Sequence, residues 1–263
     1  MIKHQFFVGH RVQTCVCVLL ACIFSIQGSA ETSFDLVIGN GRVIDPASST
    51  DAIRHVGIID NRIVAVSERP LSGRETIDAK GKVVTAGFID LHSHAQTQLG
   101  QRYQVRDGVT TALDLEAGAY PVAAVANNIF DQALINFGAS ASYVSIRAKV
   151  LSNTEQPYIF FAGKSFSFKD AAFTKEMNEV EIARSMRHVG LGIDQGGLGI
   201  GLLLDYLDAA VSDDELEALF TTAADRRAPL FIHIRRGIAG DPSGLIEVIE
   251  LAKRTGASIH ICH

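Results

Sequence analysis

The sequence predicts an α/β protein, an incomplete (β/α)8 TIM-like barrel with about six of eight strands, preceded by a small β unit. Residues 34–85 contain short apolar runs separated by turn-forming dipeptides, which indicates the β unit. From residue 86 onward, strand patterns alternate with helical patterns, as in parallel βα units. Several of these strand patterns end in histidine or glutamate, at the position where a barrel presents side chains at one face.

Composition excludes several classes of protein. The 263 residues are 47% hydrophobic and 20% charged, with a net charge of −5, which excludes a disordered chain. A sequence pI near 6.0 and the lack of a basic run argue against binding to nucleic acid. We therefore expect a mildly acidic globular protein whose partner is a small-molecule substrate.

Residues 1–30 have the pattern of a cleavable signal peptide. Lys3 and Arg11 precede an apolar run at residues 12–26, and small residues lead to a cut after Ala30. This predicts a secreted or periplasmic protein without stable membrane association after cleavage. A permanent anchor is disfavoured because the run is shorter than the roughly 20 residues of a membrane span. A lipoprotein modified at Cys22 is a second alternative, disfavoured by the apolar residues that continue beyond it.

Residues 31–85 are predicted to form the small β unit. Its hairpins are expected around Asn40-Gly41, Asp60-Asn61 and Lys80-Gly81, because such dipeptides favour tight turns. Signal cleavage would leave Cys262 as the only cysteine, so a metal site must rest on histidine and carboxylate side chains.

Residues 86–263 are predicted to form the partial barrel. The predicted strands are residues 83–92, 109–116, 141–147, 198–204, 230–235 and 258–263. The predicted helices are residues 122–134, 176–188, 213–226 and 245–254, the third beginning with a Ser212–Glu215 capping box. A doubly wound open sheet is disfavoured, because residues 92–94 stand where its glycine-rich turn would be. Since His263 lies inside a strand pattern, we expect a fragment truncated at its carboxyl end.

The histidines at strand ends predict a metal site. His92 and His94 are two residues apart on a strand, so both imidazoles lie on one face and can reach one ion. His233 and His263 end two further strands, and Glu116 ends the second strand. Because the carboxyl ends of parallel strands meet at one face, these five side chains are the predicted metal ligands.

Residues 77–94 resemble the amidohydrolase superfamily, at its entry into the first barrel strand. The β unit is similar to the accessory β-sandwich of that superfamily. Within it, residues 108–118, 232–235 and 261–263 resemble the N-acyl-D-amino-acid deacylases, including D-glutamate deacylases. Those enzymes carry a metal-binding cysteine near the position of Glu116, so the resemblance leaves open whether one or two divalent ions are bound.

The resemblance implies a hydrolase of non-peptide amide C–N bonds that deacylates N-acyl-D-amino acids. Zn²⁺ is the implied cofactor, and it would activate a water to hydroxide as the nucleophile. The general base of the family is an Asp after the eighth strand, expected beyond His263, so no catalytic residue is identified here. Lys149 and Lys164 are weak candidates for the carboxylated lysine that other members use.

Two residues are candidates for contact with the substrate, and three other functions remain open. Arg235 is a candidate clamp for a substrate carboxylate or, equally, a salt-bridge partner, and Tyr206 is a candidate pocket residue. His188 is expected at the end of a helix and His55 in solvent. Isoaspartyl dipeptidase activity, cyclic-amide (dihydroorotase-like) hydrolysis and a catalytically silent fragment are the alternative functions.

Overall fold

The computed structural model describes residues 33–129, 132–154 and 167–263. The chain divides into two compact units, Met1–Thr85 and Ala86–His263. The predicted signal peptide lies outside the described residues. Within the described ranges, no helix combines the length and the apolar character that crossing a membrane requires.

The described part of the first unit is a five-stranded mixed sheet. Its strands are β1 (Phe34–Asp45), β2 (Thr50–Ile59), β3 (Arg62–Ser67), β4 (Gly73–Asp78) and β5 (Val83–Val84). The order is β3-β2-β1-β4, and β5 also pairs with β1. β1, β2 and β3 are antiparallel neighbours, whereas β4 and β5 both run parallel to β1.

One of the three predicted hairpins is present as predicted. Asp60 and Asn61 join β2 to β3 with φ angles of 49° and 62°, as a tight two-residue turn requires. Asn40-Gly41 is not a turn but an irregularity inside the single long strand β1. There the Asn40 side chain donates a hydrogen bond to Asp78, which stabilises its left-handed backbone. The hairpin predicted at Lys80-Gly81 is wrong, because β4 and β5 each pair with β1.

The second unit is a curled half-barrel of six parallel strands. Its elements are, in order, β6 (Phe88–Asp90), α1 (Gln98–Arg106), β7 (Val109–Ala119), α2 (Ala124–Ile129), β8 (Asn136–Ser142), α3 (Tyr143–Ser152), α4 (Ala171–Thr174), α5 (Glu179–Asp194), β9 (Ile200–Leu203), α6 (Asp213–Arg226), β10 (Leu230–His233), α7 (Ser243–Thr255) and β11 (Ile259–Ile261). Sheet neighbours follow chain order from β6 to β11. This confirms the predicted α/β class and the partial TIM-like barrel.

The predicted strand at residues 141–147 is wrong for most of its length. β8 ends at Ser142, whose hydroxyl accepts a hydrogen bond from the Ser145 N–H and so caps α3. The misassignment has a physical reason: most residues of α3 are buried, including the polar Ser145 and Arg147, so its apolar and polar positions lack the helical periodicity that distinguishes a helix from a strand.

Helix α6 has the predicted bounds, but only half of the predicted capping box forms. Ser212 accepts a hydrogen bond from the Glu215 N–H, as expected. The Glu215 carboxylate instead turns into the protein and pairs with Arg147. A complete capping box occurs at the start of α5, between Asn178 and Glu181.

The Arg147–Glu215 pair is fully buried at the centre of the helical layer. Tyr143 donates a hydrogen bond of 2.7 Å to the same carboxylate. The Arg147 guanidinium also donates to backbone carbonyls of Ala172, Lys175 and Ala210, so it connects α3, α4 and the segment before α6. Burial and the charge of Glu215 raise the pKa of Tyr143 well above its usual range, which keeps the phenol neutral and donating.

Candidate metal centre

Side chains from four strand ends converge at one face of the half-barrel. His92 follows β6, Glu116 lies near the end of β7, His233 is the last residue of β10, and His263 follows β11. These positions are brought together because parallel strands end at the same edge of the sheet. His94, two residues beyond His92, joins the same group.

The Glu116 carboxylate lies at the centre of this group, with two imidazoles at each oxygen. Oε2 is 3.3 Å from Nε2 of His92 and 3.3 Å from Nε2 of His94. Oε1 is 3.2 Å from Nδ1 of His233 and 2.9 Å from Nε2 of His263. The four predicted histidine ligands therefore surround the fifth predicted ligand, the Glu116 carboxylate, in two pairs.

Burial and neighbouring imidazoles have opposite effects on Glu116. Its side chain is 4% exposed, and burial alone would raise its pKa. Hydrogen bonds from His233 and His94, together with the imidazole charges, outweigh that effect and hold the pKa of Glu116 well below its usual range. The carboxylate is thus ionised, as a metal ligand must be.

A second carboxylate, Asp114, lies behind His94. The Asp114 side chain is 1% exposed, and its Oδ1 is 3.2 Å from His94 Nδ1. Burial lowers the pKa of His94, but the hydrogen bonds with Asp114 and Glu116 prevail and raise it to about 9. Sequence analysis missed Asp114, although its spacing of two residues from Glu116 places both on one face of β7.

The residues present fit a divalent transition metal. Imidazole nitrogens and carboxylate oxygens are the donors that such ions prefer, and one ligand atom each from His92, Glu116 and His263 lies within 4.8 Å of the others. The buried Nε2 of His233 makes no hydrogen bond to the described residues and is 4.0 Å from Asp205 Oδ2. A buried ring nitrogen in this state is suited to bind an ion.

The two candidate substrate residues have different surroundings. The buried Arg235 guanidinium lies 3.2 Å from Asp208 and 2.9 Å from Glu247, so two acids already neutralise its charge. This geometry favours the salt-bridge interpretation over the carboxylate clamp. Tyr206 contacts the His233 ring edge-on at 5.1 Å and stacks on Phe168 at 5.9 Å, which forms an aromatic wall beside the site.

The remaining histidine and lysine predictions fall outside this cluster. His188 lies inside α5, not at its end, and its Nδ1 is 2.6 Å from the Tyr120 hydroxyl. His55 is buried in the first unit, so the prediction of a solvated imidazole is wrong. Lys149 lies within α3, and Lys164 is outside the described residues.

Comparison with known proteins finds a family match in one segment of the chain. Residues 75–135, which include His92, His94 and Glu116, match the sequence model of the amidohydrolase family. The half-barrel and its strand-end histidines lie in the same unit as most of this matched segment.

Two curated relatives of the chain carry different enzyme names. The dihydroorotase of Solibacter usitatus is 52% identical over 60 residues, which are 22% of this chain and 14% of the relative. The N-acyl-D-glutamate deacylase of Alcaligenes xylosoxydans xylosoxydans is 25% identical over 247 residues, 89% of this chain and 50% of the relative. The chain spans about half the length of the deacylase, and a smaller part of the dihydroorotase.

Solved structures of amidohydrolases share the fold. The N-acyl-D-glutamate deacylase of Bordetella bronchiseptica, complexed with zinc and a phosphonate mimic of the tetrahedral intermediate, matches with a TM-score of 0.68 at 22% identity. The match covers 86% of this chain and 50% of the deacylase. A D-aminoacylase matches with a TM-score of 0.64 at 21% identity. This match covers 87% of this chain and 51% of the D-aminoacylase.

Proposed function

We propose that the protein is a metal-dependent hydrolase of amide C–N bonds that removes the acyl group from N-acyl-D-amino acids. The observation that carries the proposal is the arrangement of four imidazoles around the ionised Glu116 carboxylate at the carboxyl ends of parallel strands. Such concentrated strand-end donors are expensive to bury without a function, because unpaired imidazole nitrogens lose hydrogen bonds to water.

The residues that would hold one or two divalent ions are Glu116 and the four imidazoles around it, those of His92, His94, His233 and His263. Zinc is the proposed metal. When bound, such an ion polarises an amide carbonyl and lowers the pKa of water. Glu116 itself, ionised and nearly excluded from solvent, holds the two imidazole pairs in one orientation relative to each other.

The aromatic wall supports binding of an organic substrate beside the ligands. Tyr206 is 39% exposed and Phe168 is 65% exposed, although both are aromatic and in contact with each other. Phe168 is held in place by an edge contact with the buried Phe173 at 5.2 Å. Fixed aromatic rings next to His233 offer an apolar surface for an acyl chain, since such rings bind apolar groups without losing much conformational freedom.

Deacylation of N-acyl-D-amino acids is favoured by similarity along almost the whole chain to an N-acyl-D-glutamate deacylase. Cyclic-amide hydrolysis is the second candidate, because a 60-residue segment is 52% identical to a dihydroorotase. Both reactions break an amide C–N bond, so the proposed metal site serves either one.

A substrate panel distinguishes these activities. The protein as its gene encodes it is expected to hydrolyse N-acetyl-D-glutamate faster than dihydroorotate or a β-aspartyl dipeptide, and to lose activity on chelation and regain it with Zn²⁺. Amine release measures the deacylase and dipeptidase reactions, and ring opening measures the dihydroorotase reaction. N-acetyl-L-glutamate is the matched control for stereochemistry. Faster turnover of dihydroorotate would select the second candidate, and activity that survives metal removal would overturn the metal-dependent mechanism.

We also propose that the protein is exported, which the pattern of residues 1–30 supports. Expression of the full gene product in a Gram-negative host is expected to yield a periplasmic protein whose first residue is Glu31. Amino-terminal sequencing of the periplasmic fraction measures this, with an Arg11→Glu variant expected to slow processing. Cytoplasmic recovery of protein that begins at Met1 would contradict export.

A further inference from the structure

We propose that Asp114 is a positioning residue that fixes both the ring of His94 and the backbone around Glu116 for metal binding. The inference rests on the proposed metal site and assigns a role to a residue outside the ligand set. Asp114 is joined to the site from two directions, through the side chain of His94 and through the backbone of Gly118.

The first contact orients the ring of His94. Oδ1 of Asp114 is 3.2 Å from Nδ1 of His94 and accepts its N–H, so Nε2 is the ring nitrogen that is directed at the ion the site would hold. That Nε2 is 3.3 Å from Oε2 of Glu116, on the side that faces the cluster. Because Asp114 is 1% exposed, water competes little for this hydrogen bond, and the ring cannot turn without breaking it.

The second contact fixes the segment that carries Glu116. The N–H of Gly118 donates to the same oxygen of Asp114 at 3.1 Å. Between Asp114 and Ala119 the pairing of β7 with β8 shifts register, and Gly118 has φ of +65°. A Cβ atom at Gly118 would collide with Ser140, so only glycine fits this bend. Glu116 lies at the middle of the bend, and the Asp114–Gly118 hydrogen bond holds its two ends together.

A purely structural acid would contribute to folding but not to metal affinity, and this difference can be measured. Asp114→Ala removes the acceptor for both N–H groups. Asp114→Asn keeps the shape and one acceptor oxygen but removes the charge. Ser185→Ala is the matched control, since Ser185 is as buried as Asp114 and its hydroxyl donates to the sulfur of Met177, away from the metal ligands.

The experiment measures the zinc dissociation constant of each purified protein by competition with a chelating dye. We expect zinc binding to weaken about 100-fold in Asp114→Ala and about 10-fold in Asp114→Asn, and to be unchanged in Ser185→Ala. In ¹⁵N-labelled protein loaded with zinc, the His94 ring is expected to carry its only proton on Nδ1 in the parent and to give a mixture of ring states in Asp114→Ala.

The outcomes separate this inference from the proposed function. Failure of the parent protein to bind zinc would overturn the metal site and the inference together. If the parent binds zinc and both Asp114 variants retain its affinity and the His94 tautomer, Asp114 has no positioning role, even if their melting temperatures fall. A graded loss of affinity, larger for alanine than for asparagine, supports the role.

Discussion

Replacing Glu116 with alanine is expected to remove at least one bound zinc ion per chain. The variant loses the one group among the described residues that contacts all four imidazoles, so each pair of histidines is left without its shared carboxylate. The measurement is the metal-to-protein ratio after dialysis, determined by mass spectrometry of the metal. Zinc loss of the same kind is expected when His92 and His94 are both replaced by alanine.

A control distinguishes loss of a ligand from loss of an acidic charge. Glu250→Ala removes an exposed acid of α7 that pairs only with Lys253 among the described contacts, so it should leave the metal content unchanged. Metal content in Glu116→Ala equal to that of the parent would make Glu116 a structural acid. Retention of stoichiometric zinc by the double histidine variant would remove His92 and His94 from the site.

Replacing Arg147 with alanine is expected to lower the free energy of unfolding by about 3–5 kcal/mol. The Glu215 carboxylate would then stay buried with Tyr143 as its remaining partner, and three backbone carbonyls would lose a donor. Glu215→Ala is expected to have a loss of similar size, because it leaves the guanidinium unpaired. Urea unfolding followed by circular dichroism measures both.

The Arg254–Glu217 pair provides the matched control for this prediction. It joins α7 to α6 at the surface, with side chains that are 58% and 44% exposed. Arg254→Ala is therefore expected to lower the free energy of unfolding much less than Arg147→Ala does, because water and salt screen exposed ion pairs. Equal losses at Arg147 and Arg254 would show that the buried pair adds no special stability.

The candidate site could be predicted because its signals are local. Alternation along a strand shows that His92 and His94 share a face, and the direction of parallel strands brings their ends together with those of distant segments. The structure places the four predicted histidines around Glu116, the fifth predicted ligand. No knowledge of side-chain contacts was needed for this step.

The parts that could not be predicted depend on tertiary contacts. Helix α3 is buried on nearly every side, so its sequence lacks the polar face that distinguishes a helix from a strand. Glu215 has the spacing of a capping residue, and only the distant Arg147 draws its carboxylate inward. Similarly, Arg235 has the spacing of a substrate clamp, but Asp208 and Glu247 from other segments occupy it.

The position of His92 and His263 has a consequence for the folded chain as a whole. They follow β6 and β11, the two outermost strands of the six-stranded sheet, yet both lie against Glu116. An ion held by both would act as a cross-link that encloses about 170 residues, in a chain whose described part contains only the free thiol of Cys262. Chain-entropy arguments assign such a link about 5 kcal/mol, so metal supply would govern how long the protein survives unfolding and proteolysis.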